Sequence, residues 1–410
     1  MIMANSLDPK KIRREFPMLN RPPKRPLVFL DSAASSQTPM AVLEAMDSYY
    51  KECRANIHRG MYAASAEATE RYEAARAKVA SFLNAAPEEI VFTHGATEGL
   101  NLVARGLAEN LGPGDEVVVS IFEHHSNLVP WQMMAKARGF SLKYIGITTD
   151  HSLDMTSARN LIGPKTRVVA VTHVSNALGT VMPVKELAAM AHAVGAVIVV
   201  DAAQSVGHRQ VDVRELDCDF LAFSAHKIFG PTGIGALYGR RALLENLPPL
   251  LYGGHMIIEV TKERSNWNEL PWKFEAGTQD IAGAIGLGAA VDFINKIGLE
   301  ATRRHESALT DSAVRRLLKI RGVTVFGPPP GIERGPVVSF AARDIHPHDM
   351  SDILGGHGVC VRGGHHCAMP LMLELGIPGT TRASFSAYNT EGDIDALMEA
   401  VKSAMKVFRV

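Results

Sequence analysis

Between residues 90 and 225 the apolar positions gather into short, nearly continuous runs: 90–93 (IVFT), 117–120 (VVVS), 168–174 (VVAVTHV), 196–201 (AVIVVD) and 220–225 (FLAFSA). Runs this short, rich in β-branched residues and without polar alternation, predict strands buried on both faces. Between them lie stretches such as 183–194, whose apolar residues recur at helical spacing. Turn clusters such as Gly112-Pro113-Gly114-Asp115 punctuate the pattern. Strand and helix alternating in this way predict an α/β fold with a mostly parallel sheet covered by helices.

From about residue 296 the texture changes. A long charged helix is predicted over 298–320, then a strand at 323–327, a proline-rich turn at 328–330, a strand at 337–340, and helices near Asp349 and Asp393. This reads as a smaller α+β domain. The expected division is a large domain over 29–295 and a small domain formed by 1–28 with 296–410.

Composition narrows the function. The 410 residues are 46% hydrophobic and 21% charged, and 43 Lys+Arg balance 43 Asp+Glu. A net charge of zero gives no electrostatic footprint for nucleic acid or a membrane surface. The basic N-terminal residues are followed by no apolar core of a signal peptide, and no run approaches the ~18 apolar residues of a membrane span. A cytoplasmic protein is expected. Its four cysteines, Cys53, Cys218, Cys360 and Cys367, show no CxxC pairing, so no disulfide framework is expected.

In open α/β sheets, ligands bind beyond the carboxyl ends of the strands. Following the strands in this chain are Asp201 and Gln204, His226 and Lys227, His124, Asn176, and a Gly95-Ala96-Thr97 helix start. Ala96 and Thr97 at a helix N-terminus suit an anion. A lysine after an apolar strand suits a Schiff base, and a strand-terminal carboxylate suits a pyridinium nitrogen. Both are what pyridoxal 5′-phosphate (PLP) requires. Alone, Thr97 also reads as a plain N-cap and His124 as a loop histidine. Ser224, His226 and the distant Thr278 are further candidates for phosphate.

The small domain carries RGGHHCAMP at 362–370, followed by Arg382. Paired glycines suit an exposed loop, and a cysteine beside histidines and an arginine suits a thiolate nucleophile. Arginine holds carboxylates through a planar fork. His346, His348, His357, His365, His366 and Cys367 also raise a zinc site, but their spacings match no common pattern, and no metal is expected.

Taken in order, LDSAASSQTP (30–39), NIHRG (56–60), FTHGATEGLN (92–101), EHHSNLVPWQ (123–132), THVSNALGT (172–180), DAAQSVGH (201–208), FSAHKIFGPTGIG (223–235), FEAGTQD (274–280), RGGHHCAMP and RASFSAYNT (382–390) resemble type II cysteine desulfurases of the Suf sulfur-mobilisation pathway. These are relatives of selenocysteine lyases within the class V aminotransferases. The resemblance implies the fold-type I architecture of PLP-dependent transferases, with a seven-stranded sheet, and a homodimer. It implies Lys227 as the Schiff-base residue, Asp201 at the pyridinium, His124 on the ring face, Gln204 near the ring oxygen and Asn176 near the substrate. Thr97, Ser224 and His226 become phosphate ligands, joined by Thr278 from the partner subunit. Arg382, with His58 and Arg59 nearby, becomes the substrate site, and Cys367 the carrier of a persulfide. The implied reaction takes sulfur from L-cysteine, leaving L-alanine, for an acceptor protein serving iron–sulfur cluster assembly. Selenocysteine lyase is the alternative. Transamination and kynurenine cleavage do not account for the cysteine, and a mere sulfur carrier does not account for Lys227, Asp201 and Arg382 together.

Overall fold

The structure, a computed structural model, describes residues 7–21 and 27–409. Parts of the expected N-terminal contribution to the small domain, residues 1–6 and 22–26, lie outside the described residues.

Seven strands form the main sheet: β1 (Ile90–Thr93), β2 (Glu116–Ser120), β3 (Ser141–Ile145), β4 (Thr166–Thr172), β5 (Val197–Asp201), β6 (Phe220–Ser224) and β7 (Gly235–Gly239). Their order is β1-β7-β6-β5-β4-β2-β3. Only β7 runs antiparallel to its neighbours. The continuous apolar runs have a direct cause. Val118, Val169, Val171, Ile198, Val200, Leu221 and Phe223 face one core. Their chain neighbours Val117, Val119, Val168, Ala170, Val199, Phe220 and Ala222 face the other. With both faces covered, neither parity of side chain can be polar.

Helices supply the covers. Beyond α1 (Met40–Glu52) and α2 (Ala63–Leu83), α3 (Ala96–Ala108) lies over one face and α5 (Val184–Ala193) over the other, with α4 (His125–Arg138) packed beside α3. Helix α6 (Ile281–Ile297) packs against α1 and α2. A Cβ at Gly288 would stand 2.8 Å from the Cβ of Ala75, so the α6–α2 approach requires glycine there.

A second, antiparallel sheet is built from β8 (Val323–Phe326), β9 (Val337–Ala342), β10 (Arg362–Gly364) and β11 (Thr380–Ser384), in the order β8-β9-β11-β10. Helices α7 (Leu299–Leu317), α8 (Pro347–Gly356) and α9 (Glu391–Phe408) cover it, and Leu309, Val314, Phe340, Leu354, Ile394 and Leu397 fill a separate core. The N-terminal segment reaches both regions. Phe16 meets Phe229, Phe293 and Tyr388 edge-on at 5.5, 5.6 and 4.9 Å, while Val28 and Phe29 pair in parallel with Val359 and Cys360. Among the described residues no single helix is long and apolar enough to cross a membrane.

Candidate active site

The carboxyl ends of β4, β5 and β6 open into a cleft of about 530 Å³, closed on its far side by the 362–367 loop. Asp201 ends β5, is 4% exposed, and accepts a hydrogen bond from the Ala203 N–H at 3.0 Å. Lys227 follows β6 in a short 3₁₀ turn. That turn is fixed from below: the carbonyl of His226 accepts from the Ser36 amide at 2.8 Å and the Ser36 hydroxyl at 3.0 Å. Burial pushes the Lys227 amine below its usual range, with Asp201 opposing the shift. Burial likewise pushes the Asp201 carboxyl up, and here Lys227 opposes it. The two groups therefore depend on each other for charge in a partly desolvated wall.

His124 sits across the cleft. Its Nδ1 accepts from the Ser126 amide at 3.1 Å, which leaves Nε2 to carry the proton. Burial, then the Lys227 charge, lowers its pKa to about 4, so the ring is neutral at pH 7. Burial and Lys227 also lower His226 to about 4.

One end of the cleft is an anion cradle. Gly95 caps α3 with φ of 140°, and a Cβ there would stand 3.1 Å from the Ser224 Oγ. The Ala96 amide donates to that oxygen at 2.8 Å. The Thr97 and Ser126 hydroxyls lie 2.8 Å apart at the same end. Backbone N–H groups at the start of a 13-residue helix, with three hydroxyls around them, favour a phosphate-like group.

The other end carries the one exposed cysteine among the described residues. Cys367 is exposed, and both it and His366 hold left-handed backbone, with φ of 56° and 54°. Such a pair of non-glycine residues persists only where surroundings hold it. Here the His125 amide donates to the Cys367 carbonyl at 2.8 Å, and the Asn176 side-chain amide donates to the His366 carbonyl at 2.7 Å. His366 Nε2 lies 2.9 Å from Thr380 Oγ1. By contrast, Cys53 and Cys218 are buried, and burial raises the Cys218 thiol to about 12. The half-buried Cys360 thiol is also raised, by burial and then by Asp31.

Arg382 is 2% exposed and lines the cleft; its Nη1 donates to the Asn176 carbonyl at 2.9 Å, and its Nε has no partner among the described residues. A buried guanidinium with one N–H still lacking an acceptor suits an incoming carboxylate. Gln204 lines the cleft too and donates from Nε2 to the Ala33 carbonyl at 2.7 Å.

Three expected residues stand elsewhere in this chain. Thr278 lines two other hollows, one with Arg54 and Asn56. His58 Nε2 is 2.8 Å from Glu73, with its ring stacked on His255 at 4.7 Å. Arg59 is exposed. None of the three lines the main cleft. Two residues escaped the sequence reading. Asp31 binds both Arg362 and Arg382. Glu123, fully enclosed, accepts from the Thr172 amide at 2.8 Å and from Asn127 at 2.6 Å, and bonds Ser120. Its position after a strand end was visible; its burial was not.

The class-V aminotransferase family model matches residues 28–397. A probable cysteine desulfurase of Halalkalibacterium halodurans is 49% identical, covering 97% of this chain and 98% of the relative. A cysteine desulfurase of Haloferax volcanii is 48% identical, covering 98% of each. Among solved structures, the apo cysteine desulfurase of Thermococcus onnurineus superposes with a TM-score of 0.94 at 43% identity, over 98% of this chain and 100% of that one. The Escherichia coli cysteine desulfurase CsdA, in an S-sulfonic acid form, gives 0.91 at 40% identity, over 98% and 100%. The chain belongs to the class-V aminotransferase family, as a pyridoxal-phosphate enzyme of the cysteine desulfurase group. The residues present fit that cofactor: an anion cradle at the α3 terminus, a buried carboxylate at Asp201, and a desolvated amine at Lys227, all lining one cleft.

Proposed function

We propose that this enzyme removes sulfur from L-cysteine and stores it as a persulfide on Cys367. The observation that carries the reading is that Lys227 and the exposed Cys367 line one cleft together with Arg382, whose Nε lacks a partner among the described residues. The bound cofactor supplies an electron sink for charge formed at the substrate Cα.

The residues divide the remaining work. Lys227 would hold the cofactor, and its amine would move the substrate Cα proton as base and acid. Asp201 would keep the pyridine nitrogen protonated. Ala96, Thr97, Ser224 and His226 would hold the phosphate, Gln204 the ring oxygen, and neutral His124 the ring. Arg382 and Asn176 orient the substrate. The Cys367 thiolate attacks the substrate Sγ; the Cβ–Sγ bond breaks as the S–S bond forms. L-cysteine and the Cys367 thiol thus become L-alanine and the Cys367 persulfide, with atoms balanced.

The short loop carrying Cys367 supports the type II, Suf-pathway form. In this reading the persulfide passes to an acceptor protein for iron–sulfur assembly, and the enzyme works in the cytoplasm, where an exposed thiol stays reduced. The division into a large domain (29–295) and a small one (1–28 with 296–410) belongs to the same reading. So does a homodimer, in which Thr278, His58 and Arg59 complete the partner's cleft. The exposed thiol favours desulfuration over selenocysteine cleavage as the main activity.

The test is to add L-cysteine and reductant to the holoenzyme and measure alanine and sulfide together. Equal catalytic amounts, lost in Cys367→Ala, are expected. Full activity in that variant would refute the persulfide assignment.

A further inference from the structure

The chain leaves Asp201 in a turn over residues 202–208 that carries Gln204, and the two ends of this turn are anchored to different parts of the fold. At its start the Ala202 amide donates to the Ala222 carbonyl of β6 at 2.9 Å. Along it, the Ser205 amide donates to the Ala202 carbonyl at 3.0 Å and the His208 amide to the Ser205 carbonyl at 2.9 Å. At its far end His208 Nδ1 lies 2.9 Å from Glu306 Oε2 on α7, a helix that covers the second sheet. Both side chains are buried. The adjacent Arg209–Glu333 pair, at 2.8 Å, joins the turn to the β8–β9 connection, but Glu333 is about half exposed. Exposed ion pairs hold weakly, whereas a buried polar pair that is broken leaves a desolvated group without its partner. The buried pair is therefore the stronger tie. The turn also abuts the Lys227 segment: a Cβ at Gly207 would stand 2.7 Å from Ile228 Cγ2. Gln204, His208 and Glu306 line one small cavity of about 30 Å³, and Gln204 lines the main cleft as well.

We propose that His208 is a positioning residue: held by Glu306, it fixes the 202–208 turn and with it the reach of Gln204 to the cofactor ring oxygen. The inference rests on the proposed reading of Gln204 as the contact to that oxygen. Gln204 gives one N–H to the Ala33 carbonyl, and its side-chain amide has a second to offer. A donor to the ring oxygen favours the ionised form of that oxygen. The ionisation is read in the balance between yellow and near-ultraviolet absorption of the bound cofactor. Release of His208 frees the far end of the turn, and Gln204 moves with it.

The holoenzyme and its variants are compared by absorption and by thermal unfolding. Gln204→Ala is expected to shift absorption from yellow towards the ultraviolet. His208→Ala and Glu306→Leu are expected to shift it the same way, and His208→Asn, which keeps an N–H donor near the place of Nδ1, to restore the yellow band. His208→Ala added to Gln204→Ala should shift it no further, because both act through one contact. A tie that served stability alone would lower the melting temperature and leave the bands unmoved. Should His208→Ala fail to fold, Glu306→Leu carries the test, since it removes the acceptor and keeps the buried volume. Bands that move in Gln204→Ala but not in the folded His208 or Glu306 variants would overturn the proposal, as would full additivity of the two shifts or a shift that His208→Asn does not reverse. Bands unmoved by Gln204→Ala itself would instead overturn the ring-oxygen reading, and this proposal with it.

Discussion

The two walls of the cleft are built by opposite means. The Lys227 wall is an extension of the sheet: β5 and β6 are buried along nearly their whole length, and the functional groups sit at their ends. Its groups are shifted by desolvation, and each relies on a neighbour for its charge state. The Cys367 wall is a loop with an exposed thiol on left-handed backbone, held by hydrogen bonds to the carbonyls of His366 and Cys367 from Asn176 and His125. A group that tunes a cofactor gains from exclusion of water. A group that must hand sulfur to another molecule has to remain reachable. On the proposed function, this contrast would put electronic tuning in the large sheet and sulfur delivery in the loop.

Breaking the buried wall has the largest expected effect. Lys227→Ala is predicted to lower turnover by about 10³-fold or more and to abolish the yellow colour of the covalently held cofactor, checked by absorption of the purified protein. Breaking the loop wall separates the two halves. Cys367→Ala is predicted to lose desulfuration while keeping that colour and the cofactor affinity, measured by equilibrium dialysis.

A third prediction sharpens the role of burial. Burial raises the Glu123 carboxyl to about 8, from an ordinary 4.5. Between those pH values the unfolded chain releases a proton that the folded chain retains. This group's contribution to stability is therefore greatest below about 4.5 and declines until about pH 8. Thermal unfolding across this range should show the parent losing stability relative to Glu123→Gln as pH rises. A difference between the two that does not vary with pH would contradict the assignment. The smallest effect concerns the other thiols. Cys360→Ser is predicted to leave turnover within about twofold, since Cys360 is half-buried and stands outside the cleft. Brief alkylation of the native enzyme should label Cys367 first, read by peptide mass spectrometry.

Legibility in the sequence follows the same divide. The parallel strands β2, β4, β5 and β6 were readable because burial on both faces leaves uninterrupted apolar runs. Strand β7 was not, because glycines bound it. A Cβ at Gly235 would stand 2.4 Å from the Phe223 carbonyl, so close backbone approach replaces strand propensity there. The edge strand β3 was hidden by its half-exposed SLKYI sequence. The run at 168–174 extends two residues beyond β4, since His173 and Val174 turn back to pair with Met182 and Val181. Strand-end residues such as Asp201 and Lys227 were legible from position alone. The Asp31 contacts were not: they join residues 331 and 351 positions apart, and nothing local to LDSAASSQTP signals them.

The most direct test of the account follows the sulfur atom. The holoenzyme is mixed with less than one equivalent of L-cysteine without reductant, alanine is quantified, and the protein is digested under conditions that preserve persulfides. The account predicts alanine matched by an added sulfur atom on the Cys367 peptide and none on the Cys360 peptide. Alanine released with no sulfur on Cys367, or with the sulfur on another cysteine, would contradict it.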